Sequence, residues 1–431
     1  MSWGFETDAE FQKELDWIDR FVREEVEPLD LLLDSPYNVA DPARNRLVKP
    51  LQRQVRERKL WACHLGPELG GQGYGQVKLA LMNEILGRSG FAPTVFGCQA
   101  PDSGNAEILA QYGTDAQKKT YLEPLLNNDI VSCFAMTEPQ GGSDPTTFKT
   151  TAVRDGDDWL ISGQKWFASN ANYAAFYITL AVTDPTISAY KGMSMFIVPA
   201  DAPGITILRD VHLAGRKQGG HGHGYLNFGS VRVPADHMLG GPGQAFVVAQ
   251  TRLGGGRIHH AMRTIGEARK AFDMMCERAV SRAAQRGRLA DKQLVQAMIA
   301  DSWIELEQFR LLVLRTAWLI DREHDYKKVR KDISAVKAAM PKVLHDIVMR
   351  AIQIHGSLGL TNELPLVDQL VSSLIMGLAD GPTEVHKITL ARELLNAVTP
   401  STGLFPSYHR PRERERAIAK YGKALQAVDG L

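Results

Sequence analysis

Apolar positions recur at helical spacing through the first 128 residues. In "DAEFQKELDWIDRFVREEVEPLD", Phe11, Leu15, Ile18, Phe21, Val22 and Val26 fall on one side, with acids and bases on the other, which predicts an amphipathic helix with a buried stripe. A glycine-rich loop, "GPELGGQGYG" (66–75), separates it from a second helical run through "LALMNEILGRS". From about Val131 to Pro234 the period changes. Short β-branched and aromatic runs, "TTAVRDGDDWLISGQKWF", "AAFYITLAV", "SMFIVPADAPGITIL" and "YLNFGSVRVP", are punctuated by turns. Asp155-Gly156 between two alternating runs predicts a hairpin, and Pro199 and Pro203 close others. From Gly243 to about Leu395 the helical period returns in three elements, each long and apolar on one face, as in a packed bundle. The pattern divides the chain into an N-terminal helical domain (1–130), a central β domain (131–240), a helical bundle (241–400) and a charged tail (401–431). The fold class expected is mostly α with a central β domain.

Composition narrows the function. Of 431 residues 44% are hydrophobic and 23% charged, as in ordinary globular chains. A net charge of +1 offers no basic field for nucleic acid or an anionic membrane, so a small or mixed-polarity ligand is the expectation. Cys63, Cys98, Cys133 and Cys276 are widely spaced, which reads as reduced thiols in a cytosol-like compartment rather than a disulfide scaffold. The first residues lack the pattern of a secretory signal, and no uninterrupted apolar run is long enough for a membrane span. A cytoplasmic location with no membrane span is expected. "HGHG" (221–224), with His259 and His260, invites a metal reading, but no cysteine or acid completes a ligand set nearby. No metal is expected, and the loop is read as shaping the substrate entrance.

The stretch "LADGPTEVHKITLAREL" (378–394) is open to two readings. Asp380 can cap a helix, with Pro382 in its first turn, Glu384 favoured by the helix dipole, and Val385, Ile388, Ala391 and Leu395 forming an apolar face. Alternatively, Asp380 is a base.

"FAMTEPQGGSD" (134–144) taken alone is a turn loop, since Pro, Gly, Ser and Asp all favour turns. Followed at family spacing by "SGQKWFASN", it resembles the acyl-CoA dehydrogenase family, as do "PELGGQGYG" near the N-terminus and "IQIHGSLGLTNELPL" near the C-terminus. "FAMTEP" combined with "DGPTEVH" is most similar to the subgroup of members ten and eleven. The resemblance implies an N-terminal helical domain, a small β-barrel-like domain and a C-terminal four-helix bundle. It also implies FAD as hydride acceptor, since no side chain takes a hydride.

Carried over residue by residue, the resemblance puts Phe134, Met136 and Thr137 at one edge of the isoalloxazine ring, and Phe167 and Ser169 at its other face near N5. Gly142 and Ser143 belong to the same loop, Ser143 also lying beside CoA. Arg282 from a neighbouring subunit, with Gln353 and Gly356, would grip the adenosine and pyrophosphate, and Glu384 is a further cofactor candidate. Asp380 would be the base, with Gly254, Arg257 and Gly381 at the substrate. Some relatives carry the base at the position of Gly256, where glycine cannot serve. The chain departs from the family where Phe167 replaces Trp, Gln285 to Gly287 replace Phe-Gly-Lys, and Pro382 replaces Thr. Burial beside flavin and acyl chain is expected to raise the Asp380 pKa.

The activity implied is dehydrogenation of an acyl-CoA to trans-2-enoyl-CoA, with electrons passed to an electron-transfer flavoprotein and a homodimer or homotetramer as the assembly. Alternatives are an acyl-CoA oxidase, a nitroalkane-oxidase-like flavoenzyme, or a silent flavin-binding scaffold.

Overall fold

A computed structural model describes residues 7–69, 71–213 and 222–428. Among the described residues, four helices of eight or more residues precede the first strand: α1 (Ala9–Phe21), α2 (Pro42–Glu57), α3 (Gly75–Leu86) and α4 (Asp102–Tyr112). Asp8 caps α1 by accepting from the Phe11 N–H at 2.9 Å, satisfying one orphan donor of the first turn. Phe11, Leu15, Ile18, Phe21, Val22 and Val26 are all buried, as the periodicity predicts.

The middle of the chain forms one curled sheet of β1 (Val131–Ala135), β2 (Thr151–Asp155), β3 (Asp158–Ser169), β4 (Ala174–Val182), β5 (Met193–Pro199), β6 (Ile205–Val211) and β7 (His223–Pro234), in the order β1-β4-β2-β3-β7-β6 with β5 on the other edge of β4. The predicted hairpin is present: β2 and β3 pair antiparallel from Thr151 with Ser162 to Asp155 with Asp158, and Gly156 takes the left-handed conformation at φ +62°. β3 then pairs with β7 from Asp158 with Pro234 to Ser169 with His223.

The C-terminal bundle comprises α5 (Ala245–Ser281), α6 (Gln293–Glu323), α7 (Arg330–His355), α8 (Leu366–Met376) and α9 (Thr383–Asn396), followed by the tail helix α10 (Arg410–Val428). α5 serves two cores. Its first turns place Val248 and Ala249 among Ile108, Leu109, Phe176, Ile178 and Ile197 from α4 and the sheet. From Ile258 onward its apolar side joins Leu79 and Met82 of α3 and Val336, Met340 and Leu344 of α7. Each of the larger of these side chains, Val, Leu, Ile, Phe or Met, contributes about 1.5–3 kcal/mol when fully buried, so α5 is anchored at both ends. Residues 252 to 260 lie at the junction between the cores. α3 and α5 cross closely: a Cβ on Gly266 would come within 2.0 Å of Glu84 O, and one on Gly87 within 1.9 Å of Arg263 O.

Of the two readings of residues 378–394, the helix cap fails. α9 begins at Thr383 with Pro382 at the N-cap and no side-chain cap, so Asp380 does not cap it. The apolar face of α9 faces outward, with Val385 42%, Ile388 50% and Leu395 70% exposed. His386 is the residue this helix buries.

Candidate active site

Between α8 and α9 the chain makes a tight turn in which Asp380 (φ +55°) and Gly381 (φ +98°) are both left-handed. Asp is one of the few side chains that tolerate this conformation, and glycine adopts it freely. A Cβ at Gly381 would also come 2.9 Å from His386 Nε2. The turn is held by its own peptide oxygen: Asp380 O accepts from Arg257 Nε at 3.1 Å and lies 3.2 Å from His386 Nε2. With its carbonyl fixed on that side, the carboxylate is aimed at α5. Oδ2 is 3.6 Å from His260 Nε2 and 3.8 Å from the place a Cβ on Gly256 would occupy. Gly256 and His260 are one turn apart on α5, so the glycine leaves room beside the carboxylate where its neighbour on the same face touches it. The N–H groups of Asp380 and Gly381 find no acceptor among the described residues.

The charges around Asp380 reverse the expected direction of its pKa. Burial pushes the carboxyl up, but His260, Arg252, Arg257 and Lys337 together outweigh burial and hold it below its usual value. Burial, with Arg263 adding to it, takes His260 itself down to about 4. At neutral pH the imidazole is therefore uncharged, and the lasting field comes from the two arginines and the lysine. The Lys337 ammonium is buried, donates to Met376 O at the end of α8, and is brought down to about 8 by burial. It braces the turn that follows α8 and places a positive charge beneath it.

The second half of the site sits on the sheet. Phe134 is the next-to-last residue of β1, shortly before half-buried Met136 and Thr137. Thr137 O accepts from the Trp166 N–H at 2.8 Å, and Met136 O accepts from Lys165 Nζ at 2.9 Å. The two sequence motifs are thus joined by backbone and side chain. Lys165 also pairs with Glu138 at 2.8 Å, the side chains being 0% and 2% exposed. Glu138 further accepts the N–H groups of Lys149 (2.6 Å) and Thr150 (3.0 Å). Burial raises Glu138, but Lys165 and these donors outweigh it and hold the carboxylate below its usual range.

Phe167 is left-handed at φ +52° and 42% exposed. A bulky residue in that conformation is strained, and such strain clusters at ligand sites. Ser169 Oγ lies 2.9 Å from His223 Nδ1, whereas the Thr137 hydroxyl has no partner among the described residues. Exposed and half-exposed aromatic rings flanked by hydroxyls suit a planar heteroaromatic with a polar rim, so these residues fit a flavin ring.

Arg252 connects the halves. Its guanidinium lies over the Phe134 ring at 4.0 Å, its Nε donates to Asn105 Oδ1 at 2.8 Å, and its charge acts on Asp380. Gly254, two residues on, is buried against Tyr326, whose ring a Cβ would approach to 3.4 Å.

Other predicted residues stand apart. Gly142 and Ser143 are exposed on the loop after Thr137, although a Cβ at Gly142 would lie 3.3 Å from Thr137 Cγ2. Arg282 at the end of α5, Gln353 and Gly356 at the end of α7, and Glu384 on α9 are exposed. Among the described residues no hydrogen bond, ion pair or ring contact joins these four to Asp380 or Phe134. His221 lies outside the described residues, and among those described no group of three His, Cys, Asp or Glu could hold a metal.

Sequence reasoning missed Arg252, His260, Lys337, His386 and the Glu138–Lys165 pair. A lysine inside an alternating strand and a Gly–His pair one turn apart were the available signals.

The chain matches three family models: "Acyl-CoA dehydrogenase, N-terminal domain" over residues 8–129, "middle domain" over 133–231 and "C-terminal domain" over 243–395. It is 38% identical over 391 residues to acyl-CoA dehydrogenase family member 11 of Mus musculus, a match covering 88% of this chain and 50% of that protein. The chain thus spans about half the length of that relative. A Mycobacterium tuberculosis protein assigned to the acyl-CoA dehydrogenases is 39% identical over 361 residues, covering 83% of this chain and 88% of its own. A solved Mycobacterium abscessus structure of the same assignment superposes with TM-score 0.84 at 38% identity, covering 91% of this chain and 99% of that one.

Proposed function

This chain belongs to the acyl-CoA dehydrogenase family, and from that premise we propose that it converts an acyl-CoA thioester to trans-2-enoyl-CoA with FAD, Asp380 abstracting the α-proton. The observation that carries the reading is the left-handed turn at Asp380 and Gly381, where a carboxylate and two open peptide N–H groups come together beside Arg252 and the Phe134 edge.

FAD, when bound, supplies the acceptor for the β-hydride, with its flavin ring held by Phe134, Met136, Thr137, Phe167 and Ser169. The protein supplies the acid–base and electrostatic parts. Asp380, held below its usual pKa, is ionised throughout the neutral range and ready to accept a proton. A weak base facing a weak carbon acid needs the enolate to be stabilised in step with proton transfer. The open N–H groups of Asp380 and Gly381 can donate to the thioester oxygen as its charge grows. Arg252, Arg257 and Lys337 face the negative charge both before transfer, on the carboxylate, and after it, on the enolate. The field that weakens the base therefore does not oppose the step.

Arg282, Gln353, Gly356 and Glu384 are exposed, as residues completing the FAD site of a second copy would be, and a homodimer or homotetramer is part of this reading. Gly142, Ser143 and Gly254 are assigned to the cofactor and CoA path. Electrons then pass to an electron-transfer flavoprotein.

An anaerobic titration of the flavin-loaded protein with saturated acyl-CoAs of several lengths tests the reading. Loss of flavin absorbance with formation of the 2-enoyl product is expected for at least one length, and failure with every length overturns it. Reoxidation of the reduced protein by air as fast as by the flavoprotein acceptor would instead establish an oxidase.

A further inference from the structure

Of the "HGHG" stretch, His223 and Gly224 open strand β7. At the end of the longest strand pairing, Ser169 of β3 lies directly opposite His223 of β7, and directly opposed residues project to the same face. The register slips between Lys165 and Ala168, and Phe167 and Asn170 on either side of this point are left-handed at φ +52° and +64°. The irregular backbone gathers three side chains. Ser169 Oγ is 2.9 Å from His223 Nδ1, and the Phe167 and His223 rings meet edge to face at 6.0 Å. Phe167 and Ser169 are both assigned to the flavin in the proposed function. His223 is the third member of their cluster.

A serine hydroxyl carries one hydrogen on a freely turning bond, so unrestrained it can offer either a donor or a lone pair to whatever lies beside it. A ring nitrogen at 2.9 Å removes that freedom. If Nδ1 accepts, the hydroxyl hydrogen points at the imidazole and a lone pair faces outward; if Nδ1–H donates, the hydrogen is released outward. In either tautomer the hydroxyl is directed. A flavin N5 is an acceptor when oxidised and a donor when reduced, so a directed hydroxyl beside it binds the two states unequally.

We propose that His223 is a positioning residue for the cofactor, fixing the Ser169 hydroxyl and thereby setting the balance between oxidised and reduced flavin. This rests on the FAD reading above.

The test uses the full-length FAD-loaded protein without acyl-CoA, reduced stepwise against a reference dye, so turnover plays no part. One neutral hydrogen bond shifts an equilibrium by about two- to tenfold, and that is the change expected in the flavin–dye equilibrium for His223→Ala at unchanged flavin content. His223→Asn, whose amide falls near the position of Nδ1, stays within about twofold of wild type, whereas His223→Gln, whose amide falls near Nε2, behaves as the alanine variant does. In a Ser169→Ala background, His223→Ala produces no further change. An unshifted equilibrium in His223→Ala, an equal shift with and without Ser169, or identical behaviour of Asn and Gln overturns the proposal. The Asn and Gln pair decides even if the alanine variant fails to fold. A wild-type protein that takes up no FAD defeats the cofactor reading itself, which is a distinct result.

Discussion

The two halves of the candidate site are held by different means. On the sheet the motifs around Phe134 and Phe167 are bound by a fully buried ion pair, Lys165–Glu138, whose partners also take up backbone groups from Met136, Lys149 and Thr150. Around the base, the Asp380 carbonyl is held by Arg257 and His386, while the Asp380 side chain is 21% exposed and surrounded by cations from α5 and α7. The first arrangement is a rigid seat whose members cannot leave. The second is an electrostatic setting whose members tune a group that must meet a substrate. Damage to the seat should therefore appear as lost stability and cofactor, and damage to the turn as lost rate with the fold intact.

The largest effect is expected from Lys165→Met. Leaving Glu138 buried and unpaired costs about 3–5 kcal/mol, visible as a fall in melting temperature and in retained flavin. An unchanged melt would remove the contrast. Gly381→Ala probes the other side. Its φ of +98° and the 2.9 Å approach to His386 strain the turn by about 1–3 kcal/mol, and misplacing the base lowers the rate of flavin reduction by about a hundredfold. Rapid-mixing absorbance at unchanged flavin content measures it.

Arg257→Lys keeps a cation but loses the planar Nε donor to Asp380 O. A loss of about tenfold in kcat/KM, corresponding to about 1.4 kcal/mol, is expected with little change in stability.

The smallest effect concerns pH. With its pKa below the usual carboxylate value, Asp380 stays ionised as pH falls through the range 7 to 5, so the rate of flavin reduction has no acid limb there. As pH rises through about 8, Lys337 loses its proton, removing a cation from the enolate and lowering the rate by about two- to threefold, the effect of one screened charge. Lys337→Met abolishes that step. An acid limb near pH 6 in the wild type would show that the burial of Asp380 prevails over its cations.

Much of this was legible in the chain. The run from Phe11 to Val26 gave a buried stripe because 3.6-residue spacing is a local property, and Asp155-Gly156 marked its hairpin for the same reason. "TEPQGGSD" and "GQKWFASN" pointed to the sheet half because their members are close in sequence. The setting of Asp380 was not legible: Arg252, Lys337 and Asp380 lie far apart along the chain and meet only when α5, α7 and the turn after α8 pack. Burial alone predicted a raised pKa, and the charges that reverse it come from tertiary structure. The helix-cap reading failed because Asp380 and Gly381 adopt left-handed backbone, which delays α9 to Thr383. The resemblance named Ser169, whereas its neighbour His223 was not legible, since cross-strand register decides which residues stand opposite.

The account turns most directly on whether Asp380 takes the α-proton. The measurement is the rate at which acyl-CoA reduces the flavin in Asp380→Asn beside wild type, both with full flavin content, together with a Gly256→Glu/Asp380→Gly double variant that moves the carboxylate across the 3.8 Å gap to α5. Loss of about two to four orders of magnitude in Asp380→Asn, the range for a general base, with partial recovery in the double variant, is the predicted result. Flavin reduction by Asp380→Asn at the wild-type rate would contradict it.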